Sequence, residues 1–150
     1  MKSMVRILVM AVIALSLVSV IMGIVFLQQG FSKQSWMVST MKEEQITFEV
    51  NGTETVIDSA KKAQIAGDTV REHRHAIAPT YGDLLGGERF NPEDPRQLTY
   101  AQALNLENYL YLAVATFGLI TVVLASGASM IVTGLALGLT GLALLKVSEK

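Results

Sequence analysis

Two long stretches of this chain carry no charge, and they restrict its possible folds more than any other feature. The first runs from Ile7 to Ser32 and the second from Asn108 to Leu145. Within the first, Ile7–Leu27 is nearly all Ile, Leu, Val, Met and Ala. At a helical rise of about 1.5 Å per residue it spans roughly 30 Å, the thickness of a bilayer's hydrocarbon core. Backbone in that layer must satisfy its own hydrogen bonds, and a helix does so. A transmembrane helix is therefore expected over 7–27. Lys2 and Arg6 precede it with no acidic neighbour, so the positive-inside rule places residues 1–6 in the cytoplasm. A cleaved signal peptide is the rival reading. The apolar run exceeds the usual core of about 7–15 residues, and Phe26-Leu27-Gln28-Gln29 lacks a small-residue cleavage site, so an uncleaved anchor is expected.

The second stretch is too long for one ordinary span. As a single helix from Tyr109 it would reach roughly 55 Å, against about 30 Å of hydrocarbon. Either one long helix over 109–145 crosses once and packs its outer turns on protein, or the segment breaks near Ala125-Ser126-Gly127-Ala128-Ser129 into two short spans. One crossing brings Lys146 and Lys150 back to the cytoplasm as the tail 146–150, and a hairpin leaves them outside. Each hairpin arm would also fall below the usual minimum of about 17 residues. One crossing is the favoured expectation. Together these readings predict a mainly α membrane protein: two transmembrane helices with an extracytoplasmic helical domain carrying a small β-hairpin, in a bacterial inner membrane.

Composition narrows the function. The chain has no cysteine, which excludes disulfide scaffolds, thiolate metal sites and cysteine nucleophiles. A formal net charge of −1 argues against phosphate neutralisation as a binding mode, so no nucleic-acid partner is expected. The central segment 28–108 carries eight basic and twelve acidic residues, a net charge of −4, which is ordinary for an exported surface.

Within that segment the first helix should continue outward, because Phe31, Val38 and Met41 keep helical spacing. Ile46–Val50, Asn51-Gly52 and Thr53–Ile57 read as a hairpin with β-branched arms and a favoured type I′ pair. Asn51-Gly52-Thr53 is also a glycosylation sequon, although in a hairpin such a triplet is usually only a turn. A helix over about 58–78 follows, capped by Asp58 or Ser59 and stopped by Pro79. Its seam is Val56, Ala60, Ala63, Gly67, Val70, Arg74 and Ile77, a heptad-like stripe whose small residues admit a close neighbour. That neighbour is expected within the chain, with a homodimer seam as the alternative. Thr80–Leu85 reads as one helical turn and Gly86-Gly87 as loop. Asp94-Pro95-Arg96-Gln97 reads as a capping box opening a helix that runs into the membrane. Tyr109 and Tyr111, with Trp36 and Phe31, suit the outer lipid boundary.

The motifs that carry chemistry are few. His73 and His75 are two residues apart and diverge on a helix; Asp68, Glu72 and His75 share a face, but two arginines in the same turn repel a cation. No nucleophile elbow or phosphate loop is present. Neither an enzymatic site nor a cofactor or metal is therefore expected. The clearest interaction signal is small residues on the apolar helices. Gly127, Gly134, Gly138 and Gly141 line one face of the second, with Gly134 and Gly138 in a small-xxx-small pair. Ser16, Ser19 and Gly23 form a similar stripe on the first. These faces, with Ala60, Ala63 and Gly67, are the expected helix-packing interface, either within one chain or between subunits of a homo-oligomer or larger complex. No buried charge in either span points to a proton or ion path.

Glu72-His73, Thr80-Tyr81-Gly82-Asp83-Leu84, Asp94-Pro95-Arg96 and Phe117-Gly118 within an apolar helix resemble a group of uncharacterised bacterial two-span membrane proteins often labelled aromatic ring-opening dioxygenases. The resemblance covers about 60–145 and implies topology only, with a departure in the long Gly86–Asn91 loop. The dioxygenase label does not fit the chemistry, which needs two histidines and a carboxylate converging on iron. The resulting expectation is an accessory or scaffold subunit working through helix association. The alternative is an extracytoplasmic small-ligand sensor with a pocket near Tyr81, Tyr100 and Trp36.

Overall fold

The computed structural model describes residues 2–50 and 53–148. Six elements follow in order: α1 (Lys2–Glu43), β1 (Thr47–Val50), β2 (Thr53–Val56), α2 (Ala60–Ile77), α3 (Tyr81–Leu85) and α4 (Pro95–Ser148). Two compact units emerge, one of residues 1–35 and 119–150, the other of residues 36–118.

The first unit is an antiparallel pair, the N-terminal part of α1 against the C-terminal part of α4. Both helices are long and apolar enough to cross a membrane. α4 runs unbroken through 125–129, so the alternative of a helical hairpin broken there is not what the chain adopts. Serine and glycine at that point do not break a helix whose neighbours are strong helix formers.

The second unit holds the hairpin, α2, α3 and the first turns of α4. β1 and β2 are antiparallel, with Thr47 opposite Val56 and Val50 opposite Thr53. The arms are one residue shorter at each outer end than the alternation predicted, although Ile57 N–H still donates to the Ile46 carbonyl at 3.1 Å. The Asn51-Gly52 turn and its sequon lie outside the described residues. Phe48 turns inward and packs, with Met41 and Val70, on a core of Ile57, Ala63, Ala66 and Leu110. A lone hairpin is marginal in water, and this core supplies the burial it lacks. Ala66, which the predicted seam omits, is as buried as Ala63 because the face turned inward is wider than a single heptad stripe.

The caps decide where the helices start. Ser59 caps α2, its side chain accepting from Lys62 N–H, and Asp58 instead pairs with the Lys62 ammonium at 2.9 Å. Thr80 caps α3, which ends on Gly86 at φ +57°, a left-handed conformation that glycine adopts without strain. Asp94 caps α4 by accepting from Arg96 N–H at 2.9 Å. The capping box itself does not close. Gln97 is buried and its side-chain Oε1 accepts from Asn91 N–H at 2.7 Å, because the preceding loop folds back and offers that donor first. A smaller core of Ala78, Leu84 and Tyr100, flanked by Ile77 and Leu104, ties α3 to α4.

Candidate functional site

In the first unit the small residues of α1 and α4 meet. Ser16 is buried and its hydroxyl donates to the Gly134 carbonyl at 2.7 Å; Ser19 donates to the Met130 carbonyl at 2.8 Å. Each carbonyl keeps a second lone pair beyond its helical bond, so neither helix loses a hydrogen bond. One turn along, Gly23 faces Gly127. A Cβ on Gly23 would lie 2.6 Å from the Gly127 carbonyl oxygen, and one on Gly134 would lie 2.9 Å from the Ser16 carbonyl oxygen. Backbone abuts backbone, which any larger residue would prevent. Gly138 and Gly141 continue the contact against Ser16 and Ile13. Around this seam the outward side chains are large and apolar: Leu15, Leu17, Ile21 and Ile24 on α1, and Val132, Leu135, Leu139 and Leu142 on α4 are all exposed.

In the second unit α2 packs antiparallel on α4. Ala63 is fully buried, Ala60 half-buried, and Gly67 sits against Leu110 and the Tyr111 ring. The Tyr111 hydroxyl donates to Asp68 at 2.7 Å, and this bond, with those from Gln64, lowers the Asp68 pKa. The Tyr111 ring is half-buried against Gly67, while Phe31, Trp36 and Tyr109 are exposed.

A buried polar cluster in this unit was not legible as such. Arg74 is buried and donates from Nε to Glu107 Oε2 at 2.7 Å, and from Nη2 to Oε1 at 3.4 Å. Its Nη1 donates to the Tyr100 hydroxyl, and Nη2 lies 3.1 Å from His75 Nε2. Tyr100 is 1% exposed, with Tyr81 packed at 6.1 Å between ring centroids. The hydrogen bond to Glu107 raises the Arg74 pKa, so the guanidinium stays charged at any physiological pH. Among the described residues no buried side-chain nitrogen or oxygen lacks a hydrogen-bond partner. Arginine within an otherwise apolar seam, and a glutamate one residue before a charge-free stretch, were the available signals. What sequence could not supply was that the two face each other across 33 positions.

Of the aromatic trio expected to wall a pocket, Tyr81 packs on Tyr100. Tyr100 is sealed beneath Arg74, and Trp36 is 65% exposed. A different cavity, about 210 Å³, lies between β1, α2 and α4. Among the described residues no group of three or more histidine or acidic side chains could hold a metal, and His73 is exposed.

No family model, curated protein or solved structure matches this chain. The geometry therefore has to carry the functional reading alone.

Proposed function

We propose that this is a small integral membrane protein of two crossings, N-terminus cytoplasmic, whose residues 28–108 stand outside the cytoplasm, and that it serves as an accessory or scaffold subunit rather than an enzyme. The carrying observation is the α1–α4 pair. Its inner seam is closed by glycine and serine contacts, while its outer surface is large and apolar without charge. Water penalises such a surface by roughly 25 cal/mol per Å² of apolar area, and lipid does not. Lys2 and Arg6 at one end and Lys146 at the other favour a cytoplasmic location for both ends. The buried Arg74–Glu107–Tyr100 cluster reads as structural, since its donors and acceptors satisfy one another. A bacterial inner membrane fits the charge bias.

Membrane fractionation with an alkaline carbonate wash tests insertion: the chain should stay in the pellet. Reporters fused after residue 148 test the crossing number: a fluorescent fusion should be bright and an alkaline phosphatase fusion inactive. Release into the wash, or an active phosphatase at that position, would overturn the reading. Crosslinking in native membranes tests association: an adduct with a second copy or another membrane protein is expected, and a chain that stays monomeric without a partner removes the scaffold role.

A further inference from the structure

The outer edge of β1 lies beside an apolar hollow. Ile57 N–H donates to the Ile46 carbonyl, which fixes the phase of the antiparallel ladder. Residues 46, 48 and 50 therefore exchange bonds with β2, and Thr47 and Glu49 turn their backbone N–H and C=O groups outward. The cavity of about 210 Å³ lies along this same side, lined by all of Ile46–Glu49 and, from α2 and α4, by Ala66, Val70 and Leu110 among others. Its floor is apolar and buried: Ile57, Ala66 and Leu110 are each under a tenth exposed.

The other face of the hairpin has the opposite chemistry. Glu49 and Glu54 stand directly opposite each other across the strands, an unfavourable like-charge pair. Among the described residues neither pairs with a lysine or arginine; the two ion pairs there are Lys62–Asp58 and Arg74–Glu107.

We infer that the β1 edge accepts an extended peptide segment as a third strand, one whose side chains alternate apolar and basic. The backbone of such a strand meets the outward groups of Thr47 and Glu49. Its apolar side chains fall on the inner face, over Ile57, Ala66 and Leu110. Its basic side chains fall on the outer face beside Glu49 and Glu54, where they neutralise the paired carboxylates. Period-two alternation of the strand is what lets one segment meet both demands. The site lies wholly within the second unit and goes beyond the scaffold reading by naming the chemistry of a partner.

The full-length protein in nanodiscs, titrated into fluorescein-labelled Lys-Val-Lys-Val-Lys-Val, tests this by anisotropy. Saturable binding is expected, together with slowed hydrogen exchange at the Thr47 and Glu49 amides. Methylating the peptide amides that face β1 should weaken binding at least tenfold. Ala66→Leu fills the floor and should weaken it similarly. Thr47→Pro removes the outward N–H and also the hydroxyl that donates to Glu54; Thr47→Val removes the hydroxyl alone, and the proline variant should bind severalfold more weakly than the valine variant. Absence of saturable binding overturns the inference. So does a methylated peptide, or Lys-Gly-Lys-Gly-Lys-Gly, that binds as tightly as the parent, because attraction would then be to charge alone. The topology reporters after residue 148 are indifferent to all these outcomes, so failure here is separable from failure of the membrane reading.

Discussion

The two units of this protein use the same pair of long helices and close their interiors by opposite means. In the first, α1 and α4 meet through glycine and serine with no charge, and the cross-helix bonds run from hydroxyl to carbonyl. In the second, α2 and α4 bury an arginine against a glutamate and a tyrosine, and the helix starts are fixed by polar caps. On the proposed membrane reading, the difference follows from the solvent around each unit. Where lipid is outside, burying apolar surface gains little, so close backbone approach must hold the pair. Where water is outside, apolar burial drives packing and a buried charge is tolerated only with a full set of partners.

The largest effect should come from breaking the ion pair of the second unit. Glu107→Ala leaves Arg74 buried and uncompensated, and is expected to cost about 3–5 kcal/mol. Chemical denaturation of the detergent-solubilised protein would show it as a lowered midpoint. The double change Arg74→Met with Glu107→Leu should recover most of that loss; a double variant as unstable as the single one would mean that the charges do more than satisfy each other.

Next comes overpacking of the first unit. Gly134→Leu pushes side-chain atoms into the Ser16 backbone and should cost about 1–3 kcal/mol or separate the helices. Gly118→Leu, on the same helix, meets nothing within 4 Å and should be close to neutral. Helix separation read from paired spin labels near residues 12 and 142 would distinguish them. If both glycines tolerate leucine equally, the small-residue seam does not hold the unit together.

Smaller effects sharpen the contrast. Ser59→Ala removes the α2 cap and should cost about 1 kcal/mol. Ser16→Ala removes one cross-helix bond and should cost about 0.6 kcal/mol, because such bonds are weak even in lipid. The smallest is pH-dependent. The hydrogen bond from Lys62 lowers the Asp58 pKa below its usual 3.8. A depressed carboxylate stabilises the fold above its unfolded pKa, and that contribution fades as pH falls through the folded value. Asp58→Asn should therefore lower stability slightly at neutral pH and flatten the acid limb of a stability–pH curve, the two proteins converging once pH falls below the folded Asp58 value.

Local rules carried far along this chain. The two apolar helices, the hairpin over 46–57, a cap at Asp58 or Ser59, the helical turn from Thr80 and the loop at Gly86 all depend on neighbours within a few positions and are readable in order, while the choice of Ser59 and the caps at Thr80 and Gly86 came from the fold. The misreadings share a cause. Gln97 was assigned to a capping box because its spacing fits, but Asn91 reaches it first. The spacing of Tyr111 gives no sign that its hydroxyl donates to Asp68, 43 positions away. Arg74 appeared as one member of a stripe, with its partner a third of a hundred residues distant and unassigned.

Periodicity and the absence of charge were enough to establish which segments are helical and which of them lipid can solvate, since both are properties of a segment against its solvent. Pairing is a property of two segments. Only the folded chain set Gly23 against Gly127, closed Arg74 on Glu107 and left the β1 edge open beside an apolar hollow, because each depends on the register between elements distant in sequence, and no local preference fixes that register.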